Sequence, residues 1–140
     1  LVYIDDYAHH PNEISAALSS IKNKYPGYRY TAIFQPHLYS RTKDFAPEFA
    51  QALSMVDRLI LLDIYPAREE PIPGVTSQII FDDVTAPEKM LIRKEELLEC
   101  LKDDVLGEKE VFVTLGAGDI DRLVGPLAEL LTEKHRKGNA

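Results

Sequence analysis

The sequence predicts an α/β domain built as a doubly wound, mostly parallel sheet with helices on both faces. Two observations support this class: strand-like and helix-like segments alternate at least four times along the 140 residues, and apolar residues make up 45% of the composition. A chain of this length can bury one core but not two. We therefore expect residues 1–140 to form a single Rossmann-like domain with right-handed crossovers.

Five short apolar or alternating segments are the predicted strands, because each stops at polar residues. They are expected at residues 1–4, 28–34, 59–62, 90–92 and 111–115. The third is a continuous apolar run, which is typical of a parallel strand that is covered on both faces.

The first two predicted helices carry apolar residues three and four positions apart. One runs from Pro11 to Lys24, directly after the first polar turn. The other begins at an N-cap, Asp44, and tolerates Pro47 because this proline falls in its first turn.

Three shorter signals predict the remaining helices. Thr76 or Ser77 caps a short helix that ends at residue 81, and residues 97–101 supply the apolar face of the next one. Asp119 caps the last helix, whose apolar register continues through residues 125–126 despite a Gly-Pro pair.

Composition excludes several classes of partner. The net charge of −7 disfavours nucleic acid and anionic membranes, which select basic surfaces. A single cysteine, Cys100, cannot form an internal disulfide, and no apolar run resembles a membrane span or a signal peptide. We therefore expect a cytoplasmic protein. Because the chain begins without Met and directly in a strand, we also expect a piece of a longer polypeptide.

The strongest functional signal lies between the first strand and the first helix. Asp5, Asp6, Tyr7, His9 and His10 fall within six positions there. In an open α/β sheet this turn lies at the carboxyl edge, where ligands bind, and the amino end of the next helix attracts anions. A purely structural alternative stays open, in which His10 caps the helix and Asp5 or Asp6 fixes the turn through backbone N–H groups.

Polar residues also follow three later strands, at residues 37–41, 63–69 and 116–119. In the last group, Gly116 and Gly118 permit a tight turn or the close approach of a ligand. Because the carboxyl ends of parallel strands share one edge of the sheet, we expect all four groups to form a single composite site.

Three segments resemble one known family. DYAHHP (residues 6–11), FQPHLYSRT (34–42) and TLGAGD (114–119) are similar to motifs of the carboxy-terminal domain of the Mur ligases, which build the peptidoglycan peptide, and of the related folylpolyglutamate synthetases. The resemblance spans nearly the whole chain and is strongest to members that add L-alanine to UDP-N-acetylmuramate. It implies an ATP-dependent amide ligase, which phosphorylates a carboxylate and lets an amine attack the acyl phosphate.

The resemblance also implies two further domains, one that binds the UDP-sugar and a central ATPase domain. The phosphate-loop pattern G-x-x-x-x-G-K-[ST] of the latter does not occur in this sequence. ATP and Mg²⁺ are therefore expected to bind mostly to the central domain, with no metal ligand in this chain. The implied partners are UDP-N-acetylmuramate, L-alanine, ATP and those two domains, in the bacterial cytoplasm, and the chain alone is expected to be inactive.

The resemblance assigns roles to residues of the first two polar loops. Asp6 resembles the acid that bonds the nucleotide ribose, and His10 also falls on the nucleotide side. Tyr7 and His9 resemble residues between the nucleotide phosphates and the incoming amino acid. Arg41 resembles an arginine that holds the carboxylate of this amino acid, for which a planar guanidinium is suited.

One departure from the family pattern affects the amino acid site. Leu38 stands where the family commonly has a basic residue, so the site has one cation fewer. Recognition of the carboxylate then depends on Arg41. The further candidate site residues, which supplement these, are His37, Arg68, Gly116 and Gly118.

Three alternatives stay open. One is a different Mur or folylpolyglutamate-type ligase, and another is a non-catalytic flavodoxin-like binding module. The third is a phosphorelay receiver domain that uses Asp5, Asp6 and Asp63 around magnesium. Against the receiver, the interval from Asp6 to Asp63 is longer than two ordinary βα units need, and the last strand ends in glycines instead of a lysine.

Overall fold

Strands and helices alternate along the part of the chain that the computed structural model describes, which is residues 1–138, with side chains through residue 136. The elements are β1 (Val2–Asp6), α1 (Pro11–Lys24), β2 (Arg29–Phe34), α2 (Tyr39–Leu53), β3 (Arg58–Leu61), α3 (Gln78–Phe81), β4 (Glu88–Leu91), α4 (Leu97–Lys102), β5 (Glu110–Leu115) and α5 (Asp121–Gly138). A 3-10 turn, Lys94–Glu96, leads into α4.

The strands form one sheet in the order β1-β5-β2-β3-β4, and every neighbouring pair is parallel. This confirms the predicted α/β class. All carboxyl ends of the strands therefore lie at one edge, from Asp6 of β1 to Leu91 of β4. β5 lies between β1 and β2 and ends next to both Asp6 and Phe34, so the loop that follows β5 lies between the loops that follow β1 and β2.

Apolar clusters lie on both faces of the sheet. One joins the sheet to α1, α2 and α3 and includes Phe34 and Phe49, whose ring centroids are 5.4 Å apart. The other joins it to α4 and α5 and includes Ile33 and Phe112. Neighbouring residues of β2 enter opposite clusters because strand side chains alternate, and burying each such side chain stabilises the fold by about 1.5–3 kcal/mol.

The first helix has the predicted bounds. Pro11 occupies its first turn, and the Glu13 carboxylate accepts the backbone N–H groups of His9 (3.2 Å) and His10 (3.1 Å). These are donors that the helix itself leaves without a partner, so Glu13 fixes the angle at which the chain enters α1.

The predicted start of the second helix is wrong. The helix begins at Tyr39, not after Asp44, and Leu38 precedes it with a φ of 71°. The backbone leaves helical geometry at Phe45 (φ −123°, ψ 18°), just before Pro47. The predicted start therefore coincides with the break in helical geometry at Phe45, which arises because Pro47 cannot donate a helical hydrogen bond. The prediction missed the turn of helix that precedes this break.

Smaller differences concern strand ends and caps. β1 extends through Asp6 instead of ending at residue 4, and β4 begins two residues earlier than expected. The hydroxyl of Thr76 accepts the Gln78 N–H (3.2 Å), whereas Ser77 donates to the carbonyl of Leu62. The final helix continues past Pro126, as predicted. Within the described residues, no helix has the length and apolar character needed to cross a membrane.

Candidate functional site

The four polar loops meet at the carboxyl edge of the sheet. The ring centroid of His9 lies 6.1 Å from that of His37, and the His37 ring stacks on Tyr65 at 5.7 Å. Backbone bonds join the second and third loops, from Leu38 N to Tyr65 O (2.9 Å) and from Tyr65 N to Pro36 O (2.8 Å). The fold thus brings together the loops that the sequence places at one edge.

The first loop combines fixed and exposed side chains. One carboxylate oxygen of Asp6 accepts the Ala8 N–H at 2.8 Å, so this residue does fix the turn, while Asp5 accepts the Thr114 hydroxyl at 2.7 Å and links β1 to β5. Tyr7 is 66% exposed, which is unusual for a large aromatic ring. The ring of His9 donates from Nδ1 to the Tyr7 carbonyl at 3.0 Å.

A groove of about 650 Å³ lies beside this loop, along β1 and α1. Asp6, Tyr7 and His9 line its upper part, and Lys24 with Tyr25 lines the part near the end of α1. The groove is therefore the natural place for a ligand that contacts Asp6.

Arg41 lies in the first turn of α2, not in a loop, and is half-buried. Its Nη1 donates to Nδ1 of His37 at 3.3 Å. Among the described residues, no carboxylate lies within ion-pair distance of its guanidinium. Burial lowers the pKa of His37, and the positive charge of Arg41 lowers this pKa further. His37 therefore faces Arg41 as a neutral acceptor.

The third loop is fastened to α2. The Glu69 carboxylate accepts the backbone N–H of Ser40 at 3.0 Å and also the Ser40 hydroxyl. Hydrogen bonds from Ser40 hold the pKa of Glu69 below its usual value. Arg68 is exposed in the same loop, after a left-handed Ala67. Glu69 thus positions the turn that carries Arg41, a link that the sequence does not reveal.

The fourth loop is held by Gln35, which is 2% exposed. Its Nε2 donates to Asp119 at 2.6 Å, and its Oε1 accepts the Ile120 N–H at 2.9 Å. Lys94 pairs with the same Asp119 carboxylate, so Asp119 joins two other elements and is not simply a cap. Sequence reasoning missed Gln35 and Lys94, although a buried amide directly after a strand is a usable signal.

Other parts of the protein pack closely against the two candidate glycines. Gly116 has a φ of +140°, and a Cβ there would lie 3.0 Å from the carbonyl of Gln35. A Cβ on Gly118 would lie 2.7 Å from the Tyr65 ring. Their close neighbours are thus Gln35 and Tyr65.

A second cleft, of about 350 Å³, lies at the ends of β3 and β4 and is lined in part by Tyr39, Asp63 and Arg93. One oxygen of Asp63 accepts the backbone N–H of Lys94 at 3.0 Å. Closer to the first loop, ligating atoms of His9, His10 and Glu13 lie within 4.8 Å of one another. This is the metal-capable cluster among the described residues.

Residues 1–118 match the family model described as Mur ligase, glutamate ligase domain. The chain belongs to the Mur ligase family. This confirms the resemblance carried by its three motifs, which cover the first, second and fourth loops at the carboxyl edge.

Similar Mur ligases come from several bacteria. A UDP-N-acetylmuramate–L-alanine ligase from Parabacteroides distasonis is 58% identical over 98% of this chain, and one from Porphyromonas gingivalis is 53% identical over 94%. The chain spans 29% and 28% of the length of these two relatives.

Solved structures agree. The UDP-N-acetylmuramate–alanine ligase of Thermotoga maritima superimposes with a TM-score of 0.71 at 28% identity, over 94% of this chain and 26% of that one. A separately solved domain of a ligase from Haemophilus ducreyi has a TM-score of 0.62 at 19% identity, and this chain covers 89% of it. The second match shows that this fold forms outside a longer chain.

The receiver alternative is overturned by the strand order as well as by the family. In a receiver, the sites of the paired acids and of the phosphorylated aspartate end neighbouring strands, β1 and β3 of the order 2-1-3-4-5. Here β5 and β2 lie between β1 and β3, so Asp6 and Asp63 end strands that are about 14 Å apart at the usual strand spacing. They cannot share one magnesium ion.

Proposed function

We propose that this chain is the carboxy-terminal domain of a ligase that uses ATP to join L-alanine to UDP-N-acetylmuramate. The complete reaction would phosphorylate the carboxylate of the UDP-sugar, and the amine of alanine would then displace phosphate. The observation that supports this proposal most is Arg41, a half-buried guanidinium at the carboxyl edge with no carboxylate partner among the described residues.

Arg41 is suited to hold the carboxylate of the incoming amino acid. Its guanidinium offers a fork of donors, and His37 occupies only one of them, at Nη1. Glu69 fixes the turn through Ser40, so the guanidinium is presented from a positioned backbone. Without the basic residue expected at Leu38, we assign this carboxylate to Arg41, with His37 and Arg68 as supplementary residues.

The nucleotide would lie on the other side of His9. Asp6 lines the groove along α1, and its carboxylate is suited to accept ribose hydroxyl groups. The resemblance assigns His10 to the nucleotide as well. His9 lies between this groove and His37, which contacts Arg41. Tyr7 and His9 would thus border both ligands, which is the arrangement needed when one substrate attacks a group transferred from the other.

The ATP-bound Mg²⁺ fits this chain poorly. Mg²⁺ prefers oxygen ligands, whereas the metal-capable cluster offers two imidazoles, and Asp119 is already paired with Lys94. We therefore assign Mg²⁺ and the phosphate cradle to the rest of the ligase and expect this chain alone to be inactive. The proposed location is the bacterial cytoplasm, where ATP is available.

The experiment that tests the nucleotide assignment is Asp6→Asn in the complete ligase. We expect the Michaelis constant for ATP to rise by about tenfold, since hydrogen bonds to a charged group contribute about 1.5–3 kcal/mol. The Michaelis constant for L-alanine should not change. Asp5→Asn is the matched control, because Asp5 bonds Thr114 in the fold and should leave ATP kinetics unaltered. A lower melting temperature with unchanged ATP kinetics in Asp6→Asn would show a purely structural role.

A further inference from the structure

We propose that His9, His10 and Glu13 form a binding site for a transition-metal cation of the Zn²⁺ class at the start of α1. One ligating atom of each side chain lies within 4.8 Å of the other two. From the sequence, no metal ligand is expected in this chain, because the resemblance assigns ATP-bound Mg²⁺ mostly to the central domain. The site follows from the way in which the turn folds back over the first residues of the helix.

The geometry of this turn brings the three side chains to one side. The rings of His9 and His10 have centroids 4.9 Å apart. Oε1 of Glu13 accepts the backbone N–H groups of both histidines, which keeps its carboxylate beside the two rings. Metal bonds of about 2.0–2.2 Å place two ligands at most about 4 Å apart. Small rotations of these partly exposed side chains would therefore bring all three to bonding distance.

The set of donor atoms selects the class of metal. Two imidazole nitrogens and one carboxylate oxygen suit Zn²⁺ and its neighbours, whereas Mg²⁺ and Ca²⁺ prefer oxygen alone. Glu13 supplies a carboxylate that is held in place by the backbone N–H groups of His9 and His10. Its charge offsets the positive end of the α1 dipole, which would otherwise repel a cation.

The neighbouring His37 does not supply a fourth ligand. The guanidinium of Arg41 can only donate, so Nδ1 of His37 accepts and its neutral ring carries the proton on Nε2. The three ligands therefore leave a coordination position for water or an anion, as in zinc sites that stay open. The Tyr7 carbonyl holds the His9 ring in place, as outer partners of metal-bound histidines do.

The test is a calorimetric titration of the 140-residue chain with zinc sulfate, in a buffer that does not bind zinc. The chain is suitable because a domain of this fold was solved separately. His10→Asn and Glu13→Gln remove one ligand each, and both keep residues that are favourable at their helix positions. We expect one zinc ion per chain. Each variant should lower the zinc affinity about tenfold or more, because even the loss of a residue that only hydrogen-bonds a metal ligand lowers metal affinity by about 10–100-fold.

His135→Ala, on α5, is the matched control and should bind zinc like the unchanged chain. Circular dichroism of each variant establishes that the fold is retained. Equal zinc affinity in the unchanged chain, His10→Asn and Glu13→Gln would overturn the site. Magnesium binding as tight as zinc binding would overturn the assigned class of metal. Neither outcome depends on ligase activity, so the proposed function is tested separately.

Discussion

The two ends of the parallel sheet differ in how their arginines are paired. At the amino end, Arg58 is 5% exposed and donates to both oxygens of Asp104, at 2.9 and 2.7 Å. Its guanidinium also lies 5.6 Å from the centroid of the Phe112 ring. At the carboxyl end, Arg41 is half-buried and contacts neutral His37. A buried arginine with a carboxylate supports the fold, whereas one without remains available to an anionic ligand.

The same contrast extends to the acids. At the amino end, Glu110 is 2% exposed and accepts Arg29 at 3.3 Å, and this arginine also binds Glu88. These ion pairs link residues of β2, β4 and β5. At the carboxyl end, Asp6 lines an open groove and bonds only a backbone N–H within the described residues. The charges of Arg58 and Glu110 are thus compensated by the protein itself, whereas Arg41 and Asp6 have no oppositely charged partner within ion-pair distance among the described residues.

The largest expected effect is on stability, from Arg58→Ala. Removing one partner of a buried pair leaves the other charge uncompensated and costs about 3–5 kcal/mol. We expect about 3 kcal/mol, the lower end of this range, because the Asp104 side chain is 18% exposed. Urea unfolding of the chain measures the change. Arg41→Ala is the matched control and should alter the free energy of unfolding by less than about 1 kcal/mol. Equal losses in both variants would contradict the comparison.

A second prediction concerns packing between the loops at the carboxyl edge. In Gly118→Ala the new methyl group would lie 2.7 Å from the Tyr65 ring, so we expect a loss of about 1–3 kcal/mol in unfolding free energy. Gly125→Ala in α5 is the control, since its Cβ meets no atom within 4 Å. There the substitution should stabilise by about 0.4–1 kcal/mol. Similar values for both would show that the loops are not tightly packed.

The smallest effect is a pH dependence from Asp119, an acid of the carboxyl edge that is paired with Lys94. Burial raises the pKa of Asp119, but hydrogen bonds from Lys94 and Gln35 outweigh this and hold the pKa below its usual value. The pair therefore contributes full stability above the unfolded pKa of about 3.9, and the contribution is lost as pH falls through the folded pKa. The urea midpoint of Lys94→Met should accordingly fall less between pH 6 and strongly acidic pH than that of the unchanged chain. Parallel curves for the two proteins would show that the pair does not contribute.

Much of the fold could be predicted from the sequence because its signals are local. The apolar runs of β3 and β5 and the period of α1 indicate their own structure, and alternation then implies a parallel sheet. The start of α2 could not be predicted, because Leu38 is not a usual N-cap and adopts a left-handed φ. Strand order could not be predicted either, because it depends on which distant segments of the chain pair with each other.

The candidate site could likewise be predicted only in part. The motifs indicate Asp6, His9 and Arg41, because their residue types suit binding and they follow strand ends. The supporting contacts could not be predicted, since Gln35 joins Asp119 across 84 positions and Glu69 joins Ser40 across 29. Only the folded chain shows that Asp5, a neighbour of Asp6, is used between two strands.

The most direct test of the account is the Michaelis constant for L-alanine in the complete ligase that carries Arg41→Ala. Loss of a charge-assisted pair costs about 1.5–3 kcal/mol, so this constant should rise about ten- to a hundredfold while that for ATP stays unchanged. Arg41→Lys should restore part of the loss, because a single ammonium cannot reproduce the fork of the guanidinium. Arg68→Ala, in an exposed position of the third loop, is the control and should have a much smaller effect. An unchanged constant for L-alanine in Arg41→Ala would contradict the claim that the uncompensated arginine of the carboxyl edge binds the substrate carboxylate.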